Sequence, residues 1–331
     1  MTMPHIIRRA TALAGAFVAT LSLPSGGQAR PPIIDMHVHA HAADAEGPSP
    51  QFVCPGTGEL VAPRRVDSTT TRELMQCDRP LRSAATDDEV RVRTLAIMKR
   101  YNVIGVTSGP HRLVRQWHDA APDRIIPAAS AEPIDSLRRW AKAGELTVIG
   151  ELAFQYAGIG PGDSVPRKYF ALAEELDIPV AIHVGPGPPG APYLGAPRYR
   201  MRLSDPLALE DVLAAHPRLR LYVMHAGWPM IDHMIGLLWA YPQVYVDIGV
   251  ISWALPRREF YGYLRRLVDA GFGTRIMFGS DQMVWPEAME IAIQNIERAD
   301  FLTAKQKRDI LYNNAATFLR LPNVKEEPQR R

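Results

Sequence analysis

Cysteine is scarce: Cys54 and Cys77 are the two in 331 residues. Without further thiols or histidines beside them they do not make a metal site. In one Pro/Gly-rich stretch of an exported chain they read as a disulfide stapling a loop, with free thiols as the alternative. Runs of basic residues are also missing. The 38 Lys and Arg are nearly matched by 35 Asp and Glu, and no block could track a phosphate backbone, which excludes general nucleic-acid binding. No short-period repeat is found. The apolar run at 10–23 falls short of the roughly 20 residues that a membrane-spanning helix needs.

That run has a different meaning. Arg8 and Arg9 precede it, and Pro24 and small residues lead from it to Ala29. Charged, apolar and small-residue regions in this order form a secretory signal, with cleavage expected after Ala29; an uncleaved anchor is the alternative. The expectation is a periplasmic or secreted protein with no stable membrane insertion. Residues 30–322 are then one domain, followed by a polar tail at 323–331. With 47% hydrophobic residues, a domain of that size can bury a single large core.

Inside the domain, apolar runs alternate with amphipathic ones. Strands are expected at 33–39, 103–107, 125–129, 146–153, 179–184, 221–225, 244–248 and 276–279. Helices are expected between them, for example at 165–176, 205–215 and 259–270. Thr86 and Glu89 form a capping box for a helix running to about Tyr101. Near-continuous apolar strands separated by helices mean a parallel sheet covered by helices. Eight such units predict an α/β fold of the TIM type, a (β/α)8 barrel with a long insertion after its first strand (42–85) and an extra C-terminal helix (303–320) packed on the outside. A doubly wound open sheet is the alternative.

The choice between them rests on chemistry-bearing residues. His37 and His39 in Ile33-Ile34-Asp35-Met36-His37-Val38-His39 sit two apart, so on a strand they face one way and can grip one ion. His41 continues that face but falls in the following loop, where a substrate-facing role suits it better. Glu151, His183, His225 and Asp281 each end a separate apolar run. A carboxylate entering a barrel interior is costly unless a cation meets it. All six lie at the C-terminal ends of expected strands, the face where barrel enzymes place their sites. They meet only if the first and last strands are neighbours, which favours the closed barrel. Trp228, Trp253 and Trp285, with Met283, fall just past strand ends and are candidates for an apolar pocket wall. Arg198, Arg200 and Arg202 alternate along a Gly/Pro-rich loop; solvated surface charge is the plain reading and an anion clamp the sharper one.

This constellation resembles the amidohydrolase superfamily of metal-dependent hydrolases. Phe278-Gly279-Ser280-Asp281 and the run KRDILYNNAA at 307–316 look like its amidohydrolase-related (amidohydrolase 2) branch. The resemblance implies that His37, His39 and Asp281 hold one divalent ion, that Glu151 bridges, and that His183 with His225 holds a second. Glu151 stands where many relatives carry a carboxylated lysine, as it does in TatD-related hydrolases. Zn²⁺ is the expected ion, with Mn²⁺ or Fe²⁺ as alternatives. Asp281 would act as general base, and His225, if only one ion binds, as a substrate polariser. The expected activity is hydrolysis of a small-molecule lactone, ester or amide. Decarboxylation of an aromatic or unsaturated acid is the alternative, since decarboxylases of this branch commonly use one ion. A non-catalytic periplasmic metal- or solute-binding protein is the third reading. Relatives of this type often pair, so a homodimer is expected.

Overall fold

The computed structural model describes residues 30–56, 59–60, 65 and 75–322. The chain divides into a unit Met1–Pro31 and a unit Pro32–Arg331, and the second of these contains the barrel. The expected signal (1–29), the polar tail (323–331) and part of the insertion lie outside the described residues.

Eight parallel strands follow one another around a nearly closed barrel in chain order. They are β1 (Ile33–His39), β2 (Val103–Ser108), β3 (Ile125–Ala129), β4 (Val148–Leu152), β5 (Val180–His183), β6 (Leu221–Met224), β7 (Val244–Asp247) and β8 (Ile276–Met277). The seam between β1 and β8 is joined by Met36 N donating to Phe278 O (2.9 Å) and Asp281 N donating to His37 O (2.7 Å). These two bonds bring the first and last strands together, as the open-sheet alternative would not.

Two irregularities decide which residues face inward. Pairing of β1 with β2 shifts register between Asp35 and Val38, and β4 shifts against β5 between Ile149 and Leu152. Ile34 and Met36 belong to the inner apolar layer with Val148 and Ala181, whereas Val38 and Leu152 pack in the outer layer under the helices. Strict alternation would have kept Val38 with Met36. A bulge re-aims the residues beside it, and here it turns His37, His39 and Glu151 toward the axis. Gly150 is required at the second shift: a Cβ there would collide with Ala181 Cβ and lie 2.9 Å from its carbonyl oxygen.

The first helix, α1 (Asp87–Tyr101), begins where its sequence says. Thr86 Oγ1 accepts from Glu89 N at 3.2 Å, and the Glu89 carboxylate reaches back to Ala85 N at 2.7 Å. The C-terminal segment departs from expectation. It is broken into Ala304–Arg308, a π-turn at Asp309–Asn313, and Asn314–Phe318. Its Tyr312, Ala315 and Phe318 join the inner layer of the barrel rather than lying outside it. The expected helix at 205–215 is helical only from Glu210 to Ala215, with a 3₁₀ turn capped by the Asp205 carboxylate before it.

The insertion after β1 is pinned to the barrel rim. Cys54 and Cys77 form a disulfide with Cα atoms 5.8 Å apart. Phe52–Val53 pairs with Leu81–Arg82, Gly56 N donates to Trp253 O at 2.7 Å, and Ala84 N to Val284 O at 3.2 Å.

Candidate metal centre

Six side chains from the ends of β1, β4, β5, β6 and β8 converge within hydrogen-bonding range. His37 and His39 present their Nε2 atoms 3.1 Å apart. Glu151 stands between two pairs of histidines. Its Oε2 lies 3.5 Å from His37 Nε2 and 3.4 Å from His39 Nε2. Its Oε1 lies 2.6 Å from His183 Nδ1 and 3.5 Å from His225 Nε2. Asp281 Oδ1 is 3.1 Å from His39 Nε2, and its Oδ2 is 3.9 Å from His225 Nδ1. All six are largely buried, Glu151 being the most open at 15%.

The outward nitrogens of His37, His39 and His225 each meet a group of a second set. Ser108, ending β2, places Oγ 3.1 Å from His39 Nδ1. His225 Nδ1 lies 3.0 Å from the carbonyl of Gly249, which leaves Nε2 to face inward. Asp247, ending β7, has Oδ2 3.2 Å from His37 Nδ1, while its Oδ1 accepts from His225 N (3.0 Å) and Gly249 N (2.8 Å). Gly249 must be glycine, because a Cβ there would sit 2.6 Å from His37 Nδ1. Gln282 clamps the backbone of His39, accepting from its N–H (3.0 Å) and donating to its carbonyl (2.7 Å). Partners of this kind set tautomer and ring orientation in metal sites.

Such a donor set fits divalent cations. Lone pairs of four imidazoles and two carboxylates converge, with His37 and His39 facing each other nitrogen to nitrogen. Three overlapping trios, His37–His39–Glu151, Glu151–His183–His225 and His37–His225–Asp281, each offer ligand atoms within 4.8 Å of one another. The electrostatics agree. Burial alone would lower the His39 pKa, yet hydrogen bonds with Asp281 and Glu151 carry it up to about 9. Burial opposes ionisation of Glu151 and Asp281, but the surrounding histidines hold both well below the carboxylate range. His183 goes the other way, lowered by burial and by the charge of His225. The field that retains a proton on His39 also attracts a metal ion, which must displace that proton. Ion uptake at pH 7.5 should therefore release protons from His37 and His39, both raised by their carboxylate neighbours, and apparent affinity should rise at least tenfold per pH unit between 7 and 9. Calorimetry in buffers of different ionisation enthalpy checks this; an affinity flat across that interval removes both histidines from the ligand set.

The other anticipated residues fall elsewhere. Trp253 and Trp285 are buried, with Nε1 donating to Ser280 O (2.7 Å) and Gln51 O (3.3 Å). They brace the rim and the insertion instead of lining an open wall. Trp228 is half-buried and donates to Glu259 at 3.0 Å. Arg198, Arg200 and Arg202 are exposed, and Arg200 donates to the carbonyls of Pro197 (3.0 Å) and Tyr199 (2.7 Å) in its own loop. His41 stacks on His39 with ring centres 4.3 Å apart. Burial and the positive His39 push it down to about 3.

Sequence reasoning missed Asp247, Ser108, Gln282, Tyr156 and Glu46. The rule that singled out Glu151, a carboxylate ending an apolar run, applies equally to Asp247. Tyr156 and Glu46 come from loops, where no period marks them. The Tyr156 ring meets His183 edge-on at 5.5 Å, and its hydroxyl pKa is raised by burial and by the charges of Glu151 and Asp281.

A parallel barrel with this histidine–carboxylate cluster at the C-terminal ends of its strands defines a metal-dependent barrel enzyme. The amidohydrolase family model matches residues 34–321, and the chain belongs to that family. It is 22% identical over 173 residues to Protein fluG of Emericella nidulans, a match covering 48% of this chain and 19% of that protein. The chain thus spans about a fifth of the length of that curated relative. Among solved structures it is similar to a probable 2-pyrone-4,6-dicarboxylic acid hydrolase from Acinetobacter baumannii. The two are 15% identical with a TM-score of 0.56, over 87% of this chain and 98% of the other. It is also similar to 5-carboxyvanillate decarboxylase LigW from Sphingomonas paucimobilis (14% identity, TM-score 0.53, 88% and 99% covered). At these identities the two structures speak for the fold.

Proposed function

We propose that the protein is an exported hydrolase that uses water activated at its metal centre to cleave a small-molecule lactone, ester or amide. The observation that carries this reading is the division of Glu151, one oxygen facing His37 and His39 and the other facing His183 and His225. A carboxylate so placed suits a two-ion site. His37, His39 and Asp281 would hold one ion and His183 with His225 the other, with Zn²⁺ best matched to these donors and Mn²⁺ or Fe²⁺ as alternatives. Ions bound there supply Lewis acidity and bring the pKa of coordinated water toward about 7.

The chain's own groups do the rest. Asp281 is held ionised against burial by His37 and His39, and it lies between the β1 and β6 histidines. It is placed to take a proton from the attacking water and deliver it to the leaving group. His225, with Nδ1 committed to Gly249, keeps Nε2 toward the reacting centre. The Tyr156 hydroxyl keeps its proton at neutral pH and can donate to a substrate oxygen at the edge of the site.

Export is supported by the order of Arg8, Arg9, the apolar run and Ala29, and by a Cys54–Cys77 bond suited to an oxidising compartment. No helix among the described residues is long and apolar enough to cross a membrane. A homodimer remains part of the proposal.

Metal analysis of the purified protein, combined with a panel of esters, lactones, amides and aryl carboxylates, tests the reading. Two ions per chain and turnover of an ester, lactone or amide are expected. Release of CO2 from an aryl carboxylate at one ion per chain would replace hydrolysis with decarboxylation, the activity in LigW's name. Tight metal without any turnover would return the carrier reading.

A further inference from the structure

We infer that Glu46 selects substrates by charge, so that the site takes neutral or cationic compounds and disfavours those carrying a carboxylate beyond the reacting bond. The reaction chemistry rests on the hydrolytic reading; Glu46 adds the class of compound.

Glu46 is seven residues past His39, in the first turn of the insertion. Two tight backbone bonds, Ala45 N to Ala42 O (3.1 Å) and Gly47 N to Asp44 O (2.9 Å), fold the chain back over the barrel mouth. Ala43 N donating to Asp87 Oδ1 at 2.8 Å ties that turn to the start of α1. The fold brings Glu46 Oε1 to 3.8 Å from His41 Nδ1, and the His41 ring lies flat on His39 at 4.3 Å. One imidazole thus separates the Glu46 carboxylate from a candidate metal ligand. The Glu46 side chain is 32% exposed, so a ligand entering from solvent meets it.

Glu151 and Asp281, the acids inside the site, face its four histidines. The arginines that could answer them from the β5 loop are exposed, and Arg200 is engaged with its own loop. Charge on Glu151 and Asp281 is used on the ions they would hold. Glu46 has no such role, so its charge acts on the part of the substrate that lies over β1. A second carboxylate there, as in the dicarboxylic acid named for the Acinetobacter baumannii structure, would meet repulsion.

The test uses full-length, metal-loaded wild-type protein, Glu46→Gln and Glu46→Lys at pH 8 and low salt. The probes are 4-nitrophenyl butyrate (neutral), 4-nitrophenyl hydrogen succinate (anionic) and 4-nitrophenyl 4-(trimethylammonio)butanoate (cationic). In Glu46→Gln the ratio of kcat/KM for the anionic over the neutral ester should rise about 5-fold, through KM, and further in Glu46→Lys, while the cationic ratio falls. Ratios unchanged within about 2-fold in both variants overturn the inference. Binding is read separately by calorimetry with acetohydroxamate and succinate monohydroxamate, which share one metal-binding head and differ in tail charge. If no ester is hydrolysed, ester cleavage drops out of the proposed function and the binding arm alone decides charge selection. A shift of the hydroxamate ratio toward the anion in Glu46→Gln then still upholds charge selection, and its absence removes it.

Discussion

Asp281→Asn should give a folded protein that keeps much of its metal and loses about 10³-fold in kcat, inside the range for removing a positioned general base. The backbone reason for retained folding is local. Asp281 N donates to His37 O across the barrel seam whatever the side chain is. An amide oxygen can still point at the centre near His39 Nε2, where Asp281 Oδ1 now lies at 3.1 Å. What asparagine cannot do is accept a proton near neutral pH. Metal content by elemental analysis and kcat on the best substrate of the panel are the two measurements. Turnover near the wild-type rate at full occupancy would remove Asp281 from proton transfer and pass the role to another group at the mouth.

Asp247→Asn should weaken metal binding about 10- to 100-fold while the barrel still forms, the usual range for losing a partner behind a liganding histidine. Asp247 is fully buried and does two things. One oxygen accepts from His225 N and Gly249 N, and an asparagine oxygen can do the same. The other lies 3.2 Å from His37 Nδ1. Replacing it with an NH2 group sets donor against donor, which favours the tautomer with hydrogen on His37 Nε2. That nitrogen is the one facing the centre, so its lone pair is withdrawn. Competition with a chromogenic chelator measures the loss. Affinity within about 2-fold of wild type would mean that His37 is oriented by the bulge and Gly249 alone.

Both predictions turn on residues that the sequence exposed to very different degrees. His37, His39, Glu151, His183, His225 and Asp281 were legible because each ends an apolar run, and a polar group there needs a reason to be buried. Asp247 obeys the same rule and was passed over, since a lone carboxylate after Val246 looks like any strand-ending turn. Ser108 and Gln282 are polar residues whose importance lies wholly in which backbone or ring they meet. The tryptophans and the loop arginines illustrate a related point, the arginines following their plain reading as exposed charge and Trp253 and Trp285 lying buried. Position after a strand end says that a side chain is near the rim, but its rotamer decides between the pocket and the packing beneath it. Trp253 donating to Ser280 O and Arg200 folding onto Tyr199 O are outcomes of that choice.

The amino-acid order by itself determined the alternation of apolar strands and amphipathic helices, the cap of α1 at Thr86, and the set of nitrogen and carboxylate donors. These follow from periodicity and local hydrogen bonding, which act over a few residues. Tertiary structure alone decided which oxygen of Glu151 faces which histidines, how Asp247 steers His37, that the C-terminal segment enters the inner layer, and where Glu46 comes to rest. Each depends on a one-residue shift in strand register or on the path of a loop. Such shifts cost little locally and are settled by the packing of distant segments against one another.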